Sequence, residues 1–177
     1  MLRSVAALLA TGSDYCIADV TDHQGVLRRL GFAHADVRLH PQLEIAADDA
    51  VFPRNGRVAR LLASGGSERM ARVTDAARRG ALADIVLPNG ARPMSYMSAA
   101  VWVCGAPMAV LTVVSALAQR NFGAEDLEFL VTIAEWIGLG CENALRRELQ
   151  PRASIAPPAQ AENRPVEIQR TSRLPAR

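Results

Sequence analysis

Histidine, cysteine and arginine are the residues through which this 177-residue chain could do chemistry. A metal centre needs imidazoles, thiolates or carboxylates at short repeated spacings. His23, His34 and His40 fall in a turn, at a strand end and in a loop, with no cysteine or carboxylate at ligand spacing around them. They read as solvated or locally hydrogen-bonded side chains. Cys16, Cys104 and Cys141 are too few and too scattered for a disulfide framework or a metal finger. Cys104, beside Gly105 at a strand end, lacks the neighbouring base or resolving thiol of a reactive thiolate. Gly65-Gly66 lacks the Lys and the Ser or Thr of a phosphate-cradling loop. No catalytic constellation is present, and a non-enzyme is expected.

Composition narrows the classes further. Half of the residues are apolar, enough for a core, and no uninterrupted apolar run approaches the ~20 residues that cross a bilayer. The six apolar residues after Arg3 are short for a signal peptide, so a cytoplasmic protein is expected. All twenty basic residues are Arg. We read this as a compositional bias, not as a nucleic-acid footprint. Residues 151–177 hold five of the ten prolines, five arginines, two acids and no aromatic residue. Such a segment cannot bury enough apolar surface to offset its ordering entropy and is expected to be disordered. It carries +3 of a net +2, so residues 1–150, the expected domain, are slightly acidic.

The elements that would position these residues follow from periodicity. Residues 2–11 suit a short helix. Tyr15 to Thr21 and Val26 to Ala35 read as a hairpin around Asp22-His23-Gln24-Gly25. Gly56 to Ser64 places Val58, Leu61 and Leu62 on one helical face. Glu68 to Thr74 reads as an edge strand, and Asp75 caps a brief helix through Leu82. Tyr96 to Cys104 and Met108 to Ala116 form a second hairpin about Gly105-Ala106-Pro107. The latter strand is apolar on both faces, so it should lie centrally. Residues 124–149 form the longest helix, with Glu125 and Asp126 in its first turn and Arg146 and Arg147 in its last, signs that suit its dipole. Its apolar stripe is wider than one sheet face requires, which predicts a second buried face. The sum is an α+β fold: an antiparallel sheet, terminal helices on one face, and on the other an irregular loop and helix cover over a pocket.

Several stretches in this order resemble the GAF domain, a sensor module of bacterial signalling proteins. Asp14-Tyr15-Cys16-Ile17-Ala18-Asp19 with Gly25-Val26-Leu27-Arg28-Arg29 is similar to the family's first hairpin, and Ala33-His34-Ala35-Asp36 follows it. Gly56-Arg57-Val58-Ala59-Arg60 through Gly65 looks like the helix over the pocket. Ser95-Tyr96-Met97-Ser98 with Ala109 to Ala116 is similar to the last hairpin. Phe122, Glu125-Asp126-Leu127 and Glu142-Asn143-Ala144 look like the closing helix. The resemblance covers about residues 13–147. Departures are the absent Pro near Ala99-Ala100, the short first helix, and Gly123 where Thr or Ser commonly caps the last helix.

The resemblance implies a PAS-related sheet and a non-catalytic sensory module that binds a small molecule and signals through its long C-terminal helix. The tail is too short for an output domain, so action in trans on a signalling partner, or a role as a regulatory fragment, is expected. A homodimer through the Leu127–Leu149 helix is expected, with neither membrane nor nucleic acid as partner. Phe52, Val58, Leu62, Arg72, Val73, Met94, Tyr96 and Met97 are the expected ligand-binding residues. Arg57, Arg60, Arg72, Arg78 and Arg79 are candidates for a cationic wall, suited to ligands such as cyclic nucleotides. A related group reduces free methionine sulfoxide with clustered cysteines, but residues 36–95 contain none. Bilin carriers attach their chromophore to a Cys usually next to His, and no Cys-His pair occurs here. The alternative reading is a dimerisation or protein-docking module without a ligand. The cofactor is left unknown.

Overall fold

A computed structural model describes residues 14–34, 36, 38, 52, 55–80, 82–87, 90–116 and 120–149. The expected helix over 2–11 and the tail over 151–177 lie outside the described residues. The strands are β1 (Tyr15–Thr21), β2 (Leu27–His34), β3 (Ser67–Met70), β4 (Ser95–Val103) and β5 (Ala106–Ser115). The helices are α1 (Arg57–Ser64), α2 (Asp75–Arg79) and α3 (Ala124–Leu149). All pairings are antiparallel, and the strand order is β2-β1-β5-β4-β3. The strand that is apolar on both faces, β5, is central as its pattern requires.

The two sheet faces divide by the two-residue period of a strand. On one face Cys16, Ala18, Met97, Ala99, Val101, Leu111 and Val113 pack beneath Leu130, Ala134 and Ile137 of α3. Small strand residues let the helix approach closely. At Gly138 a Cβ would lie 2.0 Å from the Trp102 carbonyl oxygen, so only glycine fits there. Leu130 is fully buried, worth roughly 1.5–3 kcal/mol. Asp126 returns its carboxylate to the Gly123 amide at 2.6 Å, so a reciprocal contact compensates for the weak glycine cap.

On the other face the apolar residues form two separate clusters. Tyr15, Ile17, Tyr96 and Val114 meet Val73, Leu82, Ile85 and Leu87 of the cover. Val110 meets Val58 and Leu61 of α1. Between the clusters the same face carries Asp19, Arg29, Ser98 and Thr112, all buried.

Several boundaries differ from expectation. The β4–β5 turn is Cys104-Gly105, not Gly105-Ala106-Pro107. Both turn residues have positive φ, 52° and 79°, the geometry of a two-residue turn that matches strand twist. β3 stops at Met70 instead of Thr74, because Val73 turns into the core and gives its amide to the Met94 carbonyl at 2.7 Å. α2 begins after Thr74, whose hydroxyl accepts from the Ala77 amide, so Asp75 is inside the helix and not its cap. It stops at Arg79, where the Gly80 amide closes onto Ala76 and Ala77. Among the described residues nothing covers the second apolar face of α3: Phe129, Trp136 and Leu139 are 58%, 65% and 58% exposed.

Candidate ligand site

The polar stripe on the cover-side face is roofed by two residues of the cover, Arg57 and Asp84. Arg57 opens α1, and its side chain is fully buried. One guanidinium nitrogen donates to Asp84 Oδ2 at 2.7 Å. Another donates to Ser98 Oγ at 2.6 Å and Thr112 Oγ1 at 3.1 Å. Ser98 and Thr112 are cross-strand partners of β4 and β5, and their hydroxyls lie 3.0 Å apart. Glu68 Oε1 stands 3.8 Å from the same guanidinium and accepts from the Tyr96 hydroxyl at 3.0 Å. The Arg57 guanidinium lies over the Tyr96 ring, 5.5 Å from its centroid.

A second buried pair stands beside the first. Arg29 donates to both oxygens of Asp19, at 2.8 and 3.3 Å, and to the Asp84 backbone carbonyl at 2.8 Å. Its guanidinium is also stacked near the rings of Phe32 and Phe52. Asp84 therefore joins the two pairs, through its carboxylate to Arg57 and through its backbone to Arg29. Burial pushes the Asp19 carboxyl above the usual carboxylate range, outweighing the opposing effect of Arg29. Burial also raises the Tyr96 phenol, reinforced by the charge of Glu68 and the bond to it, and pushes the Cys16 thiol up to about 12. Both shifts favour the protonated form, and Cys16 is fully buried.

An open cavity of about 300 Å³ lies at the outer edge of this network. Asn55, Gly56, Arg57 and Arg60 wall it from the α1 side. Gly80, Ala83 and Asp84 wall it from the segment after α2.

None of the eight expected ligand-binding residues is among those lining this cavity. Phe52 and Leu62 are half-buried and pack with Val58 around Val110. Val73 and Tyr96 belong to the other apolar cluster. Met94 is half-buried, and its amide and carbonyl hold Ser115 and Val73. Arg72 is exposed. Met97 stands on the α3 face, because a one-residue step along β4 from Tyr96 reverses the face. Seven of the eight were selected as apolar lining and Arg72 as part of a cationic wall, whereas the cavity forms where the cover is polar and small. Of the five arginines, Arg57 and Arg60 reach the cavity, whereas Arg72 and Arg79 are exposed and Arg78 binds Asp75 and the Pro93 carbonyl. Sequence reasoning missed Asp19, Arg29 and Asp84. The available signal was a charge at an inward position of an apolar strand, which demands a partner.

Among the described residues no group of three or more His, Cys, Asp or Glu could hold a metal ion. No helix among them is long and apolar enough to cross a membrane.

No family model matches the sequence, and no curated protein matches it. Solved structures do. The photoproduct state of GAF3 from Slr1393 of Synechocystis sp. PCC6803 superposes with a TM-score of 0.61 at 14% identity, covering 85% of this chain and 100% of that one. The second GAF domain of DevS from Mycobacterium smegmatis gives 0.58 at 15% identity, covering 82% and 96%. The type II free methionine-R-sulfoxide reductase from Thermoplasma acidophilum gives 0.54 at 14% identity, covering 78% and 87%. The chain thus has the GAF-domain fold, an α+β architecture on a five-stranded antiparallel sheet. That fold serves both a protein with a photoproduct state and a reductase among these neighbours, so function has to be argued from the site.

Proposed function

We propose that this chain is a non-catalytic sensory module that binds a small molecule in the open cavity of its cover and passes the change to α3. One observation carries the reading. Two of the residues that wall the cavity also bond the cover to the sheet: Arg57 donates to Ser98 and Thr112, and the Asp84 backbone carbonyl accepts from Arg29. A ligand touching either cannot bind without biasing the cover's attachment, which is the differential affinity a switch requires.

A route onward to α3 runs along the far end of α1. The Trp102 indole donates to the Gly65 carbonyl at 2.9 Å, and Gly65 is the left-handed cap that ends α1. The Trp102 backbone rests on Gly138 of α3. Two residues on, the Cys104 amide donates to Glu142 of α3 at 2.6 Å. Motion of α1 would therefore reach α3 around the edge of the sheet. The absence of cysteine from residues 36–95 supports a binding role over thiol-based reduction.

The exposed Phe129, Trp136 and Leu139 favour a homodimer or a protein partner seated on α3. A docking module without a ligand would share that face. A thermal-shift screen against nucleotides, amino acids, nitrate and aromatic acids separates the two. A ligand at 100 times its Kd adds about 2.7 kcal/mol of stability. If none shifts the transition, the docking reading replaces the sensory one. Sedimentation of the wild type and of Trp136→Glu tests the dimer: a monomeric wild type at high concentration removes it.

A further inference from the structure

Helix α3 carries six acidic residues and two arginines. Asp126 pairs with Arg120, and Glu142 pairs with Arg146 and accepts from the Cys104 amide. Glu125, Glu128, Glu135 and Glu148 have no ion-pair or hydrogen-bond partner for their carboxylates among the described residues. Every other described carboxylate has one. The unmatched negative charge of the described body therefore lies on α3 alone.

That charge shares the solvent side of the helix with its apolar residues. Helical spacing puts Glu128, Glu135 and Leu139 in one row and Glu125, Phe129 and Trp136 in the row beside it. All six are exposed. A group that covers this face has to be cationic and apolar at once. A second copy laid α3 on α3 supplies the apolar groups but opposes carboxylate to carboxylate.

The chain itself holds a segment of the right chemistry. Residues 150–177 continue directly from Leu149, the last residue of α3. The stretch 164–177 has four arginines, Arg164, Arg170, Arg173 and Arg177, against one acid, Glu167, with Val166, Ile168 and Leu174 among them. Too polar to build a core of its own, such a segment orders only on another surface. The fourteen residues before it, 150–163, are the tether. As a flexible coil they span about 20 Å. Trp136 lies about 20 Å back along α3 from Leu149 at 1.5 Å per residue. A tether that matches its span gives an effective concentration of about millimolar, so weak individual contacts suffice.

We propose that residues 164–177 lie back along α3 of the same chain, their arginines on Glu125, Glu128 and Glu135 and their apolar side chains on Phe129, Trp136 and Leu139. In an extended segment the two-residue period puts Arg164, Val166, Ile168, Arg170 and Leu174 on one side and Glu167 on the other. The open Trp136 ring offers a guanidinium a face to stack on. The contact goes beyond the sensory reading: it gives α3 a resident occupant, which a second copy or a protein partner has to displace before seating there. Its ion pairs are surface pairs, weak and screened, so it is reversible and falls with salt.

The test is the amide and indole N–H spectrum of the full chain at two protein concentrations. Arg170→Glu with Arg173→Glu should shift the Trp136 indole and the Glu128 and Glu135 amides. Raising salt from about 0.1 to 1 M shortens the Debye length from about 10 to 3 Å and should move the wild-type signals toward that variant's. Glu128→Arg with Glu135→Arg should move the Val166 and Ile168 amides to random-coil positions. Combining the two reversals should restore the contact. Arg152→Glu, in the tether, should leave the α3 signals in place. The proposal is overturned if the α3 signals ignore the tail reversal, if the combined variant stays unbound, or if Arg152→Glu acts as strongly as the tail pair. Wild-type α3 signals that change with protein concentration overturn it in favour of a contact between copies.

Discussion

Replacing Asp84 by Ala isolates what the buried network contributes. The change removes the carboxylate 2.7 Å from Arg57 and leaves a fully buried guanidinium. Its remaining partners are two neutral hydroxyls and Glu68, 3.8 Å away and partly exposed. Breaking a buried pair by removing one partner costs about 3–5 kcal/mol, because the other charge is stranded. Glu68 takes up part of that charge, which sets the expectation at the low end, about 3 kcal/mol. At about 2–4 °C per kcal/mol for a domain of this size, Tm falls by about 6–12 °C. The Asp84 backbone carbonyl stays, so Arg29 keeps its bond to it. Removing both charges in Arg57→Met with Asp84→Ala should cost less than Asp84→Ala alone, since nothing charged is stranded and Ser98 and Thr112 still bond each other. Urea unfolding followed by circular dichroism measures Asp84→Ala, Arg57→Met and the double variant, with unchanged m-values confirming a comparable transition. A loss below about 1 kcal/mol for Asp84→Ala, or a double variant as unstable as the sum of the singles, refutes the reasoning.

Gly138→Ala puts a Cβ 2.0 Å from the Trp102 carbonyl and should cost about 1–3 kcal/mol in urea unfolding as α3 is pushed off the sheet; a neutral result would mean the helix rides free of β4. Trp102→Phe removes the indole bond to Gly65, and α3 amides should stop responding to a ligand that still binds at the cavity. Asp19 has a folded-state pKa raised by burial, so the native state binds the extra proton; its contribution is full below the unfolded pKa and falls as pH rises through the folded one. Asp19→Asn should flatten that decline in urea midpoints taken across the acidic range, and an unchanged slope would count against it. Asp22 behaves oppositely: the hydrogen bond from Arg28, with the Val26 amide, holds it at about 2, so its contribution is complete above the usual 3.8 and lost as pH falls toward 2. Asp22→Ala should remove that acid dependence and loosen the β1–β2 turn, read from amide exchange at Gln24 and Val26.

Local pattern determined much of the fold. β1 and α3 stand where the periodicity of Tyr15–Thr21 and 124–149 put them, because a two-residue or 3.6-residue repeat is a property of neighbours in the chain. The two-sided apolar run of β5 likewise forced it to the middle of the sheet. Turn boundaries were less legible: Cys104 was not expected at positive φ, because only the twist of the paired strands imposes that geometry on it. The site was the least legible part. Arg57 and Asp84 are 27 residues apart, Arg57 and Thr112 are 55 apart, and nothing in either neighbourhood announces the other. Of the residues expected as apolar lining, Phe52, Val58 and Leu62 pack in one cluster and Val73 and Tyr96 in another with a charged stripe between them, while Met97 faces α3. Which charges are buried depends on the register of β1, β4 and β5 and on how α1 and the 80–84 segment lie across them. Those are long-range choices: the sequence supplied the charges, and tertiary packing alone decided that four of them would be matched beneath the cover while Arg60 faced the cavity without a counter-ion among the described residues.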